Sequence, residues 1–263
     1  MNGTLTALLM TLIAGAATGI GGALVLFKKK LSSNFLAGSL GLSAGVMIFI
    51  SMAEMLPEAQ SLIAGTDMTR GEAFVLISFF IGMGIITLID FLIPEYENPH
   101  EASGLSLEAA SLHKLGVMSA LAIAIHNFPE GIATFIGAIN DPEMGAGITF
   151  AISIHNIPEG IAIAIPIYYA TKSKAKALLY ATLSGMSEVL GALLCLVVTA
   201  VFKIDITADG PAFPLILAAV AGIMIYISLD ELLPTAEKYG KHHIAIAGVV
   251  GGMAIMGASL LII

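Results

Sequence analysis

Apolar residues fall along this chain in long blocks, with polar residues gathered in short breaks between them. Eight blocks can be drawn, at 3–27, 35–56, 73–94, 115–139, 145–169, 177–202, 213–234 and 243–262. A helix rises about 1.5 Å per residue and bilayer hydrocarbon is about 30 Å thick, so about 20 apolar residues suffice to cross it. The pattern predicts an all-α integral membrane protein with eight transmembrane helices, forming a single transmembrane domain over 1–263. Only 95–114, between the third and fourth helices, is long enough for a loop with a role of its own. The first block is expected to be a retained helix and not a cleaved leader, because Met1 to Leu8 carries no Lys or Arg.

Composition supports the membrane class. The 263 residues are 57% hydrophobic and 11% charged, with a mean hydropathy of +0.96, whereas soluble domains carry roughly 25% charged residues. A net charge of −8 with no basic stripe excludes nucleic acid as a partner, since phosphates must be met by cations. Cys195 is the single cysteine, so no disulfide framework or cysteine-based zinc finger can form within one chain. The basic residues set the orientation. Lys28, Lys29, Lys30, Lys114, Lys172, Lys174, Lys176, Lys238 and Lys241 fall on one side, and only Arg70 and Lys203 fall on the side holding both termini. By the positive-inside bias, both termini face away from the cytoplasm and the 95–114 loop is cytoplasmic.

Two internal repeats refine the architecture. Gly45 to Ala59 in the second block recurs as Gly222 to Ala236 in the seventh, identical at nine of fifteen positions. An offset of five crossings makes the copies antiparallel, the mark of inverted repeats in transporters. Helices 1–3 are therefore expected to mirror helices 6–8 around a central pair, a 3+2+3 arrangement. The central pair repeats as well, Ile125-His-Asn-Phe-Pro-Glu-Gly-Ile-Ala133 against Ile154-His-Asn-Ile-Pro-Glu-Gly-Ile-Ala162. Small residues such as Gly15, Gly19, Gly21 and Gly22 need only helix packing to explain them; repeats that retain Ser, Glu and Pro need more.

Ionisable side chains at mid-membrane cost on the order of 2.5–3.5 kcal/mol on insertion scales. His126 and Glu130, His155 and Glu159, and Glu188 all fall mid-span on three successive helices. Each His–Glu pair is spaced i, i+4 and shares a helix face, with Asn127 and Asn156 about 100° round from the histidines. Pro129 and Pro158 lack an N–H and free the carbonyls of Ile125 and Ile154 as further ligands or bending points. With no Lys or Arg at that depth, a divalent cation resolves the charge conflict among the glutamates. Mixed imidazole and carboxylate suit zinc, iron, manganese or cobalt, whereas calcium and magnesium prefer oxygen alone. A lone intramembrane His is as well read as an interhelical hydrogen bond; two copies of His-Asn-x-Pro-Glu-Gly with Glu188 favour metal.

Through these motifs the chain resembles the ZIP family of divalent-metal transporters, over essentially its whole length. The resemblance implies a binuclear centre, with one site around His126, Glu130, His155 and Glu159. The other gathers Asn127, Glu130, Asn156, Glu159 and Glu188, and both central glutamates bridge. It matches Met47 to a thioether ligand that the second helix supplies in some members. It further implies a bacterial inner-membrane importer that is no enzyme and has no cofactor, with zinc, iron, manganese, cobalt and cadmium as transported substrates. Its partners would be those cations and the lipid bilayer, and the small-residue helix faces allow a homodimer. Some relatives carry Asp where Asn156 stands, which lowers the negative charge of the second site. The loop offers only His100 and His113, where many relatives are histidine-rich.

Two rival functions use the same residues. An intramembrane metal-dependent hydrolase would also gather His and acid at depth, but the chain has no His-Glu-x-x-His stretch. A metal-gated channel or sensor is the other. The inverted repeat also places Glu54 and Glu58 at the external end of the second helix, and Asp230 and Glu231 at the cytoplasmic end of the seventh. Acidic mouths of this kind would concentrate cations at both ends of a path.

Overall fold

After the first, each apolar block becomes a helix that starts ahead of it, because polar residues just outside a block can still cap or continue a helix. The computed structural model describes residues 3–27, 32–92, 109–204, 210–239 and 241–261. The helices are α1 (Gly3–Phe27), α2 (Ser33–Ile50), α3 (Leu56–Ala64), α4 (Gly71–Leu92), α5 (Ala109–Asn140), α6 (Pro142–Thr171), α7 (Lys174–Phe202), α8 (Ala212–Ile227), α9 (Leu233–Tyr239) and α10 (His242–Leu260). Among the described residues there is no strand. Seven helical stretches there are long and apolar enough to cross a bilayer: Gly3–Leu24, Ser33–Ala64, Gly71–Phe91, Pro142–Ile165, Lys174–Phe202, Ala212–Glu237 and His242–Leu260. The remaining block, 115–139, lies within the 32-residue helix α5.

Caps explain several of the extensions. Asp141 accepts from the backbone N–H groups of Glu143 and Met144, and Pro142 fills the first helical position, so α6 starts ahead of its apolar block. Ser173 accepts from the N–H of Lys176 and starts α7 in the same way. The stretch 109–114, expected as the end of a loop, is the beginning of α5, and residues 93–108, with His100, lie outside the described residues. Pro129 and Pro158 sit inside α5 and α6 without ending either helix.

The fifteen-residue repeat reappears as backbone geometry. Between α2 and α3 the chain makes a π-turn at Ser51–Met55, and between α8 and α9 it makes another at Ser228–Leu232. In each the wider spacing closes on the first residue, with Leu56 N–H reaching the Ser51 carbonyl and Leu233 N–H reaching that of Ser228. A proline follows at once, Pro57 or Pro234. A proline ring clashes with the carbonyl four residues earlier, and one π-turn moves that carbonyl aside while the helix continues. The fifteen-residue repeat therefore encodes a backbone irregularity as well as a side-chain pattern.

Packing divides the helices into two groups. Helices α1, α5, α6 and α7 pack against one another, and α2 with α3, α4, α8 with α9, and α10 form the second set. The sets meet chiefly where α2 lies on α6 and, less extensively, where α5 meets α8. Within each set, glycine lets backbones touch. A Cβ on Gly15 or Gly185 would strike the other's carbonyl across α1 and α7, one on Gly131 would strike the Glu188 backbone, and one on Gly45 would strike Val249. Outward faces of α4 and α7 carry large exposed apolar side chains, among them Phe80, Ile81, Leu88, Leu183, Leu190 and Val197, as a lipid-facing surface requires.

These contacts predict opposite outcomes for two glycine substitutions. Gly160→Ala drives a methyl into the Thr18 carbonyl and against the Gly22 nitrogen, whereas a Cβ at Gly251 meets nothing within 4 Å. Overpacking of that kind costs about 1–3 kcal/mol. Thermal unfolding of purified protein in detergent should show Gly160→Ala clearly destabilised and Gly251→Ala close to the parent; equal stabilities would contradict the α1–α6 packing.

Candidate metal centre

The spacing inside His-Asn-x-Pro-Glu-Gly is the same on α5 and α6, and the structure packs these two helices together with α7 against α1. Asn127 and Glu130 on α5, His155, Asn156 and Glu159 on α6, and Glu188 on α7 are all buried, none more than 1% exposed. The final glycine of each motif has a separate duty. Gly131 admits the backbone of α7 at Glu188, and Gly160 admits α1 at Thr18. Each motif glycine thus holds a neighbouring helix at backbone distance, and in α5 the neighbour so held is the one that bears Glu188.

Two contacts link the polar side chains across helices. His155 Nε2 lies 3.3 Å from Glu130 Oε2, joining α6 to α5. Asn156 Nδ2 donates to Glu188 Oε1, joining α6 to α7, and also donates to the Ala14 carbonyl of α1 at 2.9 Å. With both amide hydrogens engaged, Asn156 has its orientation fixed: the oxygen must face the other way. Nothing in the sequence marks Ala14 for this, because every residue carries the same backbone carbonyl.

Several buried atoms have no hydrogen-bond partner among the described residues. Among them are Asn127 Oδ1 and Nδ2, Glu130 Oε1, Asn156 Oδ1 and Glu188 Oε2. Leaving such a group unsatisfied costs about 1–3 kcal/mol, more if charged. The four oxygens come from three helices, and none of the eleven Lys and Arg residues lies mid-helix to meet them. These atoms belong to residues that the resemblance assigns to the second site, and a cation would satisfy them. Glu130 faces two ways, one oxygen toward His155 and the other without a partner, as a bridging carboxylate would. Among the described residues no three of His, Cys, Asp and Glu stand together as a finished cage. The donors here are paired across helices and include amides.

The remaining expected residues are placed as follows. His126 lies on α5, but its side chain is outside the described residues. Glu159 is buried on α6, and Met47 is fully buried on α2, the helix that lies on α6. One turn earlier on α2, Ser43 Oγ donates to the His155 carbonyl at 3.3 Å. The sequence reading did not single out Ser43, although a hydroxyl four residues before Met47 shares its helix face. Glu54 and Glu231 are half-buried and Asp230 is exposed, each within or beside a π-turn.

Comparison with known proteins bears on the whole chain. The sequence profile of the family described as ZIP Zinc transporter matches residues 94–260. A protein named Zinc transporter ZupT from Clostridium perfringens is 49% identical over 282 residues, covering 100% of this chain and 97% of its own length. A protein of the same name from Chlorobium phaeovibrioides is 49% identical over 270 residues, with 100% of both chains covered. Another, from Streptococcus mutans, is 49% identical over 261 residues, covering 98% of this chain and 97% of its own. Those matches, together with the apolar helices, identify the chain as a multi-pass membrane protein that belongs to the ZIP zinc transporter family, a family of transporters and not of enzymes.

Proposed function

We propose that this chain carries divalent transition-metal cations across a bacterial inner membrane into the cytoplasm, zinc foremost, with iron, manganese, cobalt and cadmium as further substrates. What carries the reading is the set of buried oxygens on Asn127, Glu130, Asn156 and Glu188 that lack partners among the described residues. In hydrocarbon, a bound cation turns that deficit into coordination. α5 supplies an eighth crossing beside the seven apolar stretches, in a 3+2+3 arrangement with both termini outside and the connection from α4 to α5 in the cytoplasm. The similarity to proteins named zinc transporters supports zinc as one substrate.

The centre is binuclear in this reading. His126, Glu130, His155 and Glu159 hold one ion, and Asn127, Glu130, Asn156, Glu159 and Glu188 hold the other. Met47 contributes a thioether from α2. Histidine ligates through a ring nitrogen that carries no proton, so an ion taking His155 Nε2 displaces any proton that nitrogen shares with Glu130. All of these donors except Met47 belong to the α1, α5, α6 and α7 set. Movement of that set against the other alternates access to the site.

Three outcomes test the reading. Glu130→Ala and Glu159→Ala should each abolish zinc uptake into proteoliposomes, because each removes a bridging ligand and its charge; near-parental uptake at normal abundance would refute the centre. Metal affinity should fall as pH drops from about 7.5 to about 5.5, the range in which histidine ordinarily gains a proton, since protons compete for the same donors. Calorimetric zinc titrations showing a flat profile would contradict it. If acidic mouths serve the path, Glu54→Gln should mainly raise the half-saturating concentration for external metal. Asp230→Asn or Glu231→Gln should mainly lower the maximal rate, and unchanged kinetics at both ends would remove the mouths while leaving the centre standing.

A further inference from the structure

Hydroxyls in this protein have a habitual partner. Thr11, Thr87, Thr134, Thr149, Ser153, Thr171 and Ser228 each donate to the carbonyl four residues earlier in their own helix. That local bond is the default for Ser and Thr inside an apolar helix. Ser184 and Ser43 depart from it: Ser184 on α7 donates to the Ala120 carbonyl of α5 within one set, whereas Ser43 reaches across the two sets. Fully buried on α2, its Oγ crosses to α6 and donates to the carbonyl of His155. The bond joins the two helix sets, and it does so at the backbone of a proposed ligand.

Glycine packing sharpens the contrast. Among the described residues, every close approach between a glycine and another helix joins helices of the same set. Each set is therefore locked backbone to backbone, while at the α2–α6 boundary a side-chain hydroxyl makes the polar contact. The contact is long for an O–H···O bond, at 3.3 Å against the usual 2.7–2.8 Å or so. It can also be released without stranding the hydroxyl, since a change of rotamer returns Ser43 to the Ser39 carbonyl four residues back. That gives the hydroxyl two discrete partners, one across the boundary and one at home.

We propose that Ser43 is a positioning residue for transport, whose hydroxyl tethers the His155 backbone to α2 and lets go by turning back onto its own helix when the sets move. The proposal rests on the transport reading above for its kinetic consequence, and on the structure alone for the tether. A bond that crosses the moving boundary has to break in each cycle, so removing it lowers the barrier to leaving the state seen here.

The test compares Ser43→Ala with Ser43→Thr, which keeps the hydroxyl. In zinc-loaded proteoliposome assays, Ser43→Ala should raise the maximal rate about fivefold, the change set by one hydrogen bond of ordinary net strength, and Ser43→Thr should stay within about twofold of the parent. Hydrogen–deuterium exchange of the purified protein gives a readout independent of transport: exchange across residues 151–159 should rise about fivefold in Ser43→Ala and not in Ser43→Thr. A parent that moves no zinc would sink the transport reading while the exchange comparison still decides the tether. Unchanged exchange in Ser43→Ala, or alanine and threonine variants that behave alike, would overturn the proposal.

Discussion

A carboxylate at the middle of a bilayer has no water to answer it, and Glu130, Glu159 and Glu188 are buried together without a mid-membrane Lys or Arg. In that setting every nearby polar atom either pairs or costs free energy. Much of the surrounding structure meets this requirement. His155 approaches Glu130, the Asn156 amide serves Glu188 and the Ala14 carbonyl at once, and the oxygens left over converge on the demand for a cation.

Such pairing needs helices close enough for short side chains to meet, and lipid supplies no hydrophobic force to drive them together. Glycine solves this by removing the side chain where the backbones must touch. Gly131 brings α7 against α5 at the level of Glu188, and Gly15 with Gly185 brings α1 against α7 one residue from the Ala14 carbonyl that anchors Asn156. The polar chemistry and the small-residue packing are one device: without the second, the first has no geometry.

The second helix set does something different. Its two π-turns, at Ser51–Met55 and Ser228–Leu232, occur at matching places of the fifteen-residue repeat and precede Pro57 and Pro234. Pro129 and Pro158 are accommodated inside helices with no such turn. Proline alone therefore does not dictate the irregularity; its neighbours in the fifteen-residue repeat and the packing around them do. Two equivalent irregular turns thus fall in one set, while the buried polar cluster lies in the other.

Much of this was legible along the chain. Hydropathy marked the blocks that became apolar helices, because burial in lipid demands length and composition in one continuous stretch. The i, i+4 spacing of His155 and Glu159 put them on one face of one helix, and identity at nine of fifteen positions revealed the repeat. Helix ends were less legible, since capping by Asp141 or Ser173 extends a helix into polar sequence that hydropathy reads as loop. What only the tertiary structure decided is which helices pair: packing joins α1 to α5, α6 and α7, and α2 to α10. It also decided the roles of Ala14 and Ser43. A backbone carbonyl is the same at every residue, and a serine in an apolar helix bonds to its own turn unless a neighbouring helix comes within reach, so these contacts depend on where a second helix lies and leave no trace in the order of residues.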